Sequence, residues 1–126
     1  MALKERNRTL VETPSAITRV RYLRTEVKLT EADLSDATGA STRTVRRWTH
    51  TSDDDLQRDP HYAQQIDDLH AVVVELRDSL TAKGIRQWLR SRNRYLKGQR
   101  PIDLLREGRF NEVYDAAIAF RDGVYL

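Results

Sequence analysis

The segment TEADLSDATGASTRTVRRW, residues 30–48, decides the fold of this chain. Its opening Thr30-Glu31-Ala32-Asp33 resembles a capping box, in which the threonine hydroxyl accepts the amide three residues on. Gly39 is typical of a residue that ends a helix, and Ser41 is a favoured cap for the next one. The segment therefore predicts two short helices joined by a glycine turn.

Both short helices carry apolar residues on the faces that would meet. Leu34 and Ala37 of the first helix are placed to pack against Val45 and Trp48 of the second. Two short helices with a glycine turn and an apolar anchor on each are typical of a helix-turn-helix. We therefore expect Trp48 in the core and not on a binding surface.

The opposite face of the second helix is basic and polar, and its side chains could reach guanine edges and phosphates in a DNA major groove. The residues predicted to contact DNA are Thr42, Arg43, Thr44, Arg46 and Arg47. The same unit can also serve purely for dimerisation or docking, and the sequence leaves that alternative open.

Outside this segment the chain also looks helical. Only five glycines and three prolines occur among 126 residues, most of them where helices should begin or end. We predict an all-α protein with a flexible arm over residues 1–12 and a helix-turn-helix domain over 13–58. That domain includes a helix that begins at Thr13-Pro14 and carries one apolar face. The residues of this face are Ile17, Val20, Leu23 and Val27.

Residues 59–84 are predicted to form one long helix that begins at Asp59-Pro60 and is closed by Gly84. Its apolar residues, the heptad seam, recur at spacings of four and three residues. They are Tyr62, Ile66, Leu69, Val73, Leu76 and Leu80. The seam could be the core of a bundle within the chain or a dimer interface.

The composition and the absence of catalytic motifs argue against an enzyme. The chain has no cysteine, its three histidines show no HExxH pairing, and no nucleophile elbow, P-loop or Rossmann glycine pattern occurs. The consecutive carboxylates of Asp53-Asp54-Asp55 lack the spacing of a calcium loop. We expect no catalysis, metal or cofactor. Without a secretory segment or a run of about 18 apolar residues, we also expect a cytoplasmic protein with no membrane contact.

Charge is unevenly distributed along the chain. Residues 84–109 hold eight Lys/Arg against two Asp/Glu, whereas residues 51–83 hold three against eight. Within the basic block, Trp88-Leu89 is followed by Asn93, Gly98, Pro101, Leu104-Leu105 and Gly108. This series resembles, in order and spacing, the C-terminal toxin-binding domain of the Xre/MbcA/ParS-type antitoxins. Arg92 departs from the family, which usually has proline before the asparagine.

The resemblance covers roughly residues 28–126 and implies an antitoxin. Members of the family are encoded beside RES-domain toxins, which destroy NAD, and their C-terminal domain docks over the active-site cleft of the toxin. Many also bind their own promoter through the N-terminal helix-turn-helix. Residues 85–126 would then be the toxin-binding domain. The partners implied are a RES-domain toxin and operator DNA, in a homodimer or a hetero-oligomer with the toxin.

Arginine mixed with aromatic side chains is the composition of binding hot spots. The residues expected to contact the toxin are Trp88, Arg92, Asn93, Arg94, Tyr95, Lys97, Gly98 and Arg100, with the apolar tip Val124, Tyr125 and Leu126. The tip could instead pack on the chain's own core. Two other interpretations remain, a stand-alone helix-turn-helix regulator without a toxin and a structural adaptor that no longer touches DNA.

Overall fold

The structure is a computed structural model that describes residues 16–50, 56 and 59–123. Within these ranges it contains seven α-helices: α1 (Ala16–Thr25), α2 (Glu31–Thr38), α3 (Thr42–His50), α4 (Pro60–Leu76), α5 (Ala82–Arg90), α6 (Pro101–Arg106) and α7 (Phe110–Arg121). A single 3-10 turn, Arg94–Leu96, lies between α5 and α6. The prediction of an all-α protein is confirmed.

Several predictions fall on residues outside the described part of the chain. They are the predicted arm over residues 1–12, the predicted helix start at Thr13-Pro14, the consecutive carboxylates Asp53-Asp54-Asp55 and the tip Val124-Tyr125-Leu126. Inside the described ranges, no helix is both long and apolar enough to cross a membrane.

The first short helix begins and ends at the residues that its sequence indicates. The Asp33 amide donates to Thr30 Oγ1 at 3.0 Å, and the Thr30 amide donates to Asp33 Oδ2 at 2.9 Å, which completes a capping box. Gly39 has φ +83°, a left-handed conformation that favours glycine, and its amide donates to the Ser35 carbonyl. The Thr44 amide then donates to Ser41 Oγ at 3.1 Å and caps α3.

The apolar faces of α2 and α3 are buried together. Val45 and Trp48 are 0% and 2% exposed, and Leu34 and Ala37 lie in the same core. The Trp48 ring also contacts the ring of Tyr62 on α4, with centroids 5.6 Å apart. Trp48 is therefore a core residue, as the sequence predicts.

The long helix is shorter than predicted. α4 ends at Leu76, and Gly84 lies in the first turn of the next helix, α5, instead of closing α4. The cause is a new cap: Thr81 Oγ1 accepts the Gly84 amide at 3.1 Å and starts α5. The last spacing of the heptad seam, Leu76 to Leu80, therefore spans a helix break.

The heptad seam is buried inside the chain. Ile66, Leu69, Val73 and Leu76 are at most 1% exposed, and α4 packs against α1, α2, α6 and α7. The seam thus serves as an intramolecular core, and a dimer of this chain needs another surface.

One hydrophobic core runs through both halves of the chain. Buried residues of α1, α2 and α3 form a single cluster with those of α4 to α7, and α6 packs directly on α2. This packing brings Arg106, the last residue of α6, close to the turn between α2 and α3. The segment boundaries at residues 59 and 85 stay predictions.

Candidate functional site

The segment between α5 and α6, residues 91–100, is here called the basic loop. It closes on the backbone of Asn93, whose carbonyl accepts the amides of Leu96 at 3.0 Å and Gly98 at 2.8 Å. The Asn93 amide donates to the Gln99 carbonyl at 3.1 Å. Lys97 and Gly98 both have positive φ, at +58° and +84°, which reverses the chain. The basic loop is a closed turn with a fixed backbone.

The Asn93 side chain is buried within the basic loop. It is 6% exposed, and its Oδ1 atom is buried without a hydrogen-bond partner in the described part of the chain. Of the predicted toxin-contact residues within the described ranges, Asn93 is therefore the one that is buried away from the loop surface.

The exposed surface of the basic loop is cationic and aromatic. Arg92, Arg94, Tyr95 and Lys97 are exposed, and Tyr95, at 48%, is the most accessible large apolar side chain in the described ranges. These four residues form what we call the loop surface. They combine a broad aromatic contact area with positive charge, a composition suited to an acidic protein surface.

The remaining predicted contact residues border the loop surface. Gly98 and Arg100 are half-buried, and Arg100 donates twice to the Asp103 carboxylate, at 2.8 and 2.9 Å. Trp88 is also half-buried and packs at the edge of the core. Trp88 and Arg100 thus support the loop and leave only part of their surface available.

Arg90 ties the base of the basic loop to α2. Its Nε donates to Asp33 Oδ1 and its Nη2 to Asp36 Oδ2, both at 2.7 Å. Burial acts to raise the pKa of Asp33, but hydrogen bonds from the Thr30 amide and Arg90 outweigh it, so that the pKa lies below its ordinary value of 3.8. The Asp33 carboxylate therefore both caps α2 and fixes α5 beside it.

We expect this link to give the fold a stability that is lost in acid. Because the pKa of Asp33 is lowered by folding, its contribution is complete above 3.8 and disappears as pH falls through the lower folded-state pKa. Asp33→Asn should lower the free energy of unfolding by about 1.5–3 kcal/mol at pH 7, the scale of a hydrogen bond to a charged group. Urea denaturation of both proteins between pH 7 and pH 2 measures this difference.

The difference between wild type and Asp33→Asn should shrink towards zero at the acidic end of that series. Glu112→Gln is the control: the pKa of Glu112 is also lowered, by Arg109, but Glu112 is exposed and its hydrogen bonds within the described residues go to Arg109 and not to α2, so its contribution should be small at every pH. A difference for Asp33→Asn that stays constant from pH 7 to pH 2 would contradict the charged link.

The second candidate surface is the outer face of α3. Thr42, Arg43, Arg46 and Arg47 are exposed there, as predicted, while Thr44 is half-buried and bonded to the α3 cap. Arg46 is engaged with Glu31 at 3.1 Å, and its hydrogen bond lowers the pKa of that carboxyl. Arg46 therefore braces α3 against α2, and Arg43 is the better placed to reach a ligand.

A groove of about 660 Å³ separates the basic loop from α6. It is lined by Arg92, Gly98, Gln99, Arg100, Asp103, Arg106 and Glu107. Sequence reasoning did not select Gln99 or Arg106, because neither belongs to the motif series and their proximity depends on how α6 packs. The described ranges contain no cluster of three or more His, Cys, Asp or Glu that could hold a metal ion.

Comparison with known proteins places this arrangement in a family. No family model matches the chain. The chain is 42% identical over 98 residues to the probable mycobacterial cidal antitoxin Rv3188 of Mycobacterium tuberculosis, covering 78% of this chain and 81% of the relative. It is 30% identical to the mycobacterial cidal antitoxin MbcA of Mycobacterium bovis, covering 78% of this chain and 84% of that protein.

The fold agrees with a solved relative. The chain superposes on a chain of the crystal structure of the Mycobacterium tuberculosis MbcT-MbcA toxin-antitoxin complex with a TM-score of 0.73 and 26% identity, covering 90% of this chain and all of that one. The chain therefore belongs to the family of MbcA-type mycobacterial cidal antitoxins.

Proposed function

We propose that this chain neutralises a RES-domain toxin that degrades NAD, by docking the loop surface over the active-site cleft of the toxin. The observation that carries the proposal is the exposed Tyr95 among Arg92, Arg94 and Lys97 on a closed loop. Membership of the antitoxin family and the likeness to a solved toxin-antitoxin complex support the same interpretation.

Occlusion needs binding and no chemistry from the antitoxin. A turn that is already closed loses little conformational entropy on binding, so more of the contact energy appears as affinity. The cationic rim would accelerate encounter with an acidic cleft entrance, and Tyr95 would supply the buried anchor. The tip Val124-Tyr125-Leu126 is part of the proposal as a segment that enters or borders the cleft.

We further propose that the α2–α3 pair acts as a helix-turn-helix and binds the operator of its own operon. Support comes from the capped pair of helices around Gly39 and from the exposed Thr42, Arg43 and Arg47 on α3. DNA recognition of this kind needs a helix that presents base-reading side chains at its first turns, and Thr42 and Arg43 are exposed in the first turn of α3.

The test is NAD consumption by the RES-domain protein encoded beside this chain. An equimolar amount of the antitoxin should suppress consumption almost completely, because a complex with Kd near 1 nM is fully formed at micromolar concentrations. Arg43→Ala should suppress it equally well while losing affinity for duplex DNA from upstream of its gene. Fluorescence anisotropy measures that second affinity.

Each outcome selects one interpretation. Suppression by both proteins supports an antitoxin whose two surfaces work separately. If the neighbouring protein neither consumes NAD nor binds this chain, while DNA binding persists, the chain is a transcription regulator without a toxin. Loss of neutralisation in Arg43→Ala would contradict the division between the loop surface and α3.

A further inference from the structure

Arg106, the last residue of α6, is held in a defined position at the turn between α2 and α3. A Cβ atom at Gly39 would lie 3.9 Å from both Cγ and Nε of Arg106, so the arginine stem rests on this turn. The buried Gln65 of α4 donates through Nε2 to the Arg106 carbonyl at 3.2 Å and fixes the backbone beneath it. An exposed arginine thus lies against the turn that precedes α3.

Arg106 makes no ion pair within the described part of the chain, although its charge helps to lower the pKa of the neighbouring Asp103. Two carboxylates share its groove, but each is engaged elsewhere: Asp103 with Arg100 at 2.8 Å, and Glu107 with Arg109 at 3.3 Å. No carboxylate of the described residues lies within ion-pair distance of the Arg106 guanidinium. The groove therefore presents an available cation beside an exposed helix start.

The position of Arg106 relative to α3 suits a DNA backbone. Thr42, the first residue of α3, lies three residues beyond Gly39, so the two are at most about 10 Å apart along the chain. The major groove is about 12 Å wide and is bordered by phosphates. When the first turn of α3 enters the DNA major groove, the Arg106 guanidinium, which lies against the preceding turn, is within reach of a phosphate at the edge of that major groove.

We infer that Arg106, from the half of the chain assigned to toxin binding, binds a backbone phosphate of the DNA that α3 reads. The guanidinium suits this role because its planar donors match phosphate oxygens. The inference rests on the proposed DNA binding and adds a contact from outside the helix-turn-helix. An arginine at a helix C-terminus also stabilises the helix through its dipole. The test therefore needs a measurement that would not change if Arg106 only stabilised α6.

That readout is the salt dependence of DNA affinity. We compare the full-length wild type with Arg106→Gln on two 30-base-pair duplexes, one from upstream of its own gene and one of random sequence. Losing one phosphate contact should reduce the slope of log affinity against log salt by about 0.9 and weaken binding about five- to tenfold near 0.1 M salt. Because a phosphate carries no sequence information, the loss should be equal on both duplexes.

Arg121→Gln is the matched control, because Arg121 also ends a helix and is exposed, but its partners are Asp122 and Glu75 and it lies outside the groove. It should leave both slope and affinity unchanged. Arg43→Gln should weaken binding more on the upstream duplex than on the random one.

An unchanged slope for Arg106→Gln, with Arg43→Gln impaired, would overturn the phosphate contact and leave the proposed DNA binding intact. Failure of the wild type to bind either duplex would overturn both. If Arg106→Gln retained DNA binding but no longer suppressed NAD consumption, the groove would be occupied by an acidic group of the toxin, and the inference would also be wrong.

Discussion

Tyr95→Ala is expected to raise the Kd for the toxin by about 30-fold or more. An aromatic anchor at the centre of an interface contributes about 2 kcal/mol or more, which corresponds to that change in Kd. Tyr95 is the largest accessible apolar surface on the basic loop, at 48% exposed, and the cations beside it give a rim that contributes less per side chain. Isothermal titration of the purified toxin with each antitoxin variant measures the effect.

Two controls separate this effect from damage to the loop. Tyr95→Phe keeps the ring and should change the Kd by less than fivefold if the ring supplies the contact area. Lys97→Ala removes a rim charge and should mainly slow association at low salt. A Kd for Tyr95→Ala within threefold of wild type would remove Tyr95 from the centre of the interface.

Trp48→Ala is expected to cost about 3–5 kcal/mol of folding free energy, the usual range for removing a buried tryptophan. Trp48 is 2% exposed and lies where α3 meets α4, against the ring of Tyr62. Such a loss is a large part of the 5–15 kcal/mol that stabilises a typical domain. The midpoint of urea denaturation should fall accordingly, with little change in its slope.

Trp88→Ala provides a matched comparison, since it removes the same side chain from a half-buried position at the edge of the core. Its cost should be about half that of Trp48→Ala, because less apolar surface leaves water there on folding. Equal losses of folding free energy in Trp48→Ala and Trp88→Ala would contradict the expectation that the cost depends on how deeply the tryptophan is buried.

The local features of this fold could be predicted from the sequence because they depend on neighbouring residues. The pair Thr30 and Asp33 indicates a helix start by itself, and Gly39 indicates the following turn. The burial of Trp48 follows from its spacing to Val45 and from the apolar face of the preceding helix. Each of these signals lies within a few residues of the feature that it predicts.

The predictions from sequence are wrong or incomplete where residues far apart in the chain determine the structure. The break after Leu76 is hidden by a heptad spacing that continues to Leu80 across it, although the cap at Thr81 could have revealed it. Arg90 and Asp33 stand 57 residues apart, and no local pattern links them. The position of Arg106 on the Gly39 turn likewise depends on the packing of α6 against α2.

The single core has a consequence for how such a protein is removed from a cell. Since α6 packs on α2 and both rest on α4, neither half can unravel while the other stays folded, and unfolding should be all-or-none. A protease that pulls on either terminus would therefore destroy the loop surface and the outer face of α3 in one event. If the chain has both proposed activities, release of the toxin and relief of repression would then occur together, with no intermediate that has lost only one of them.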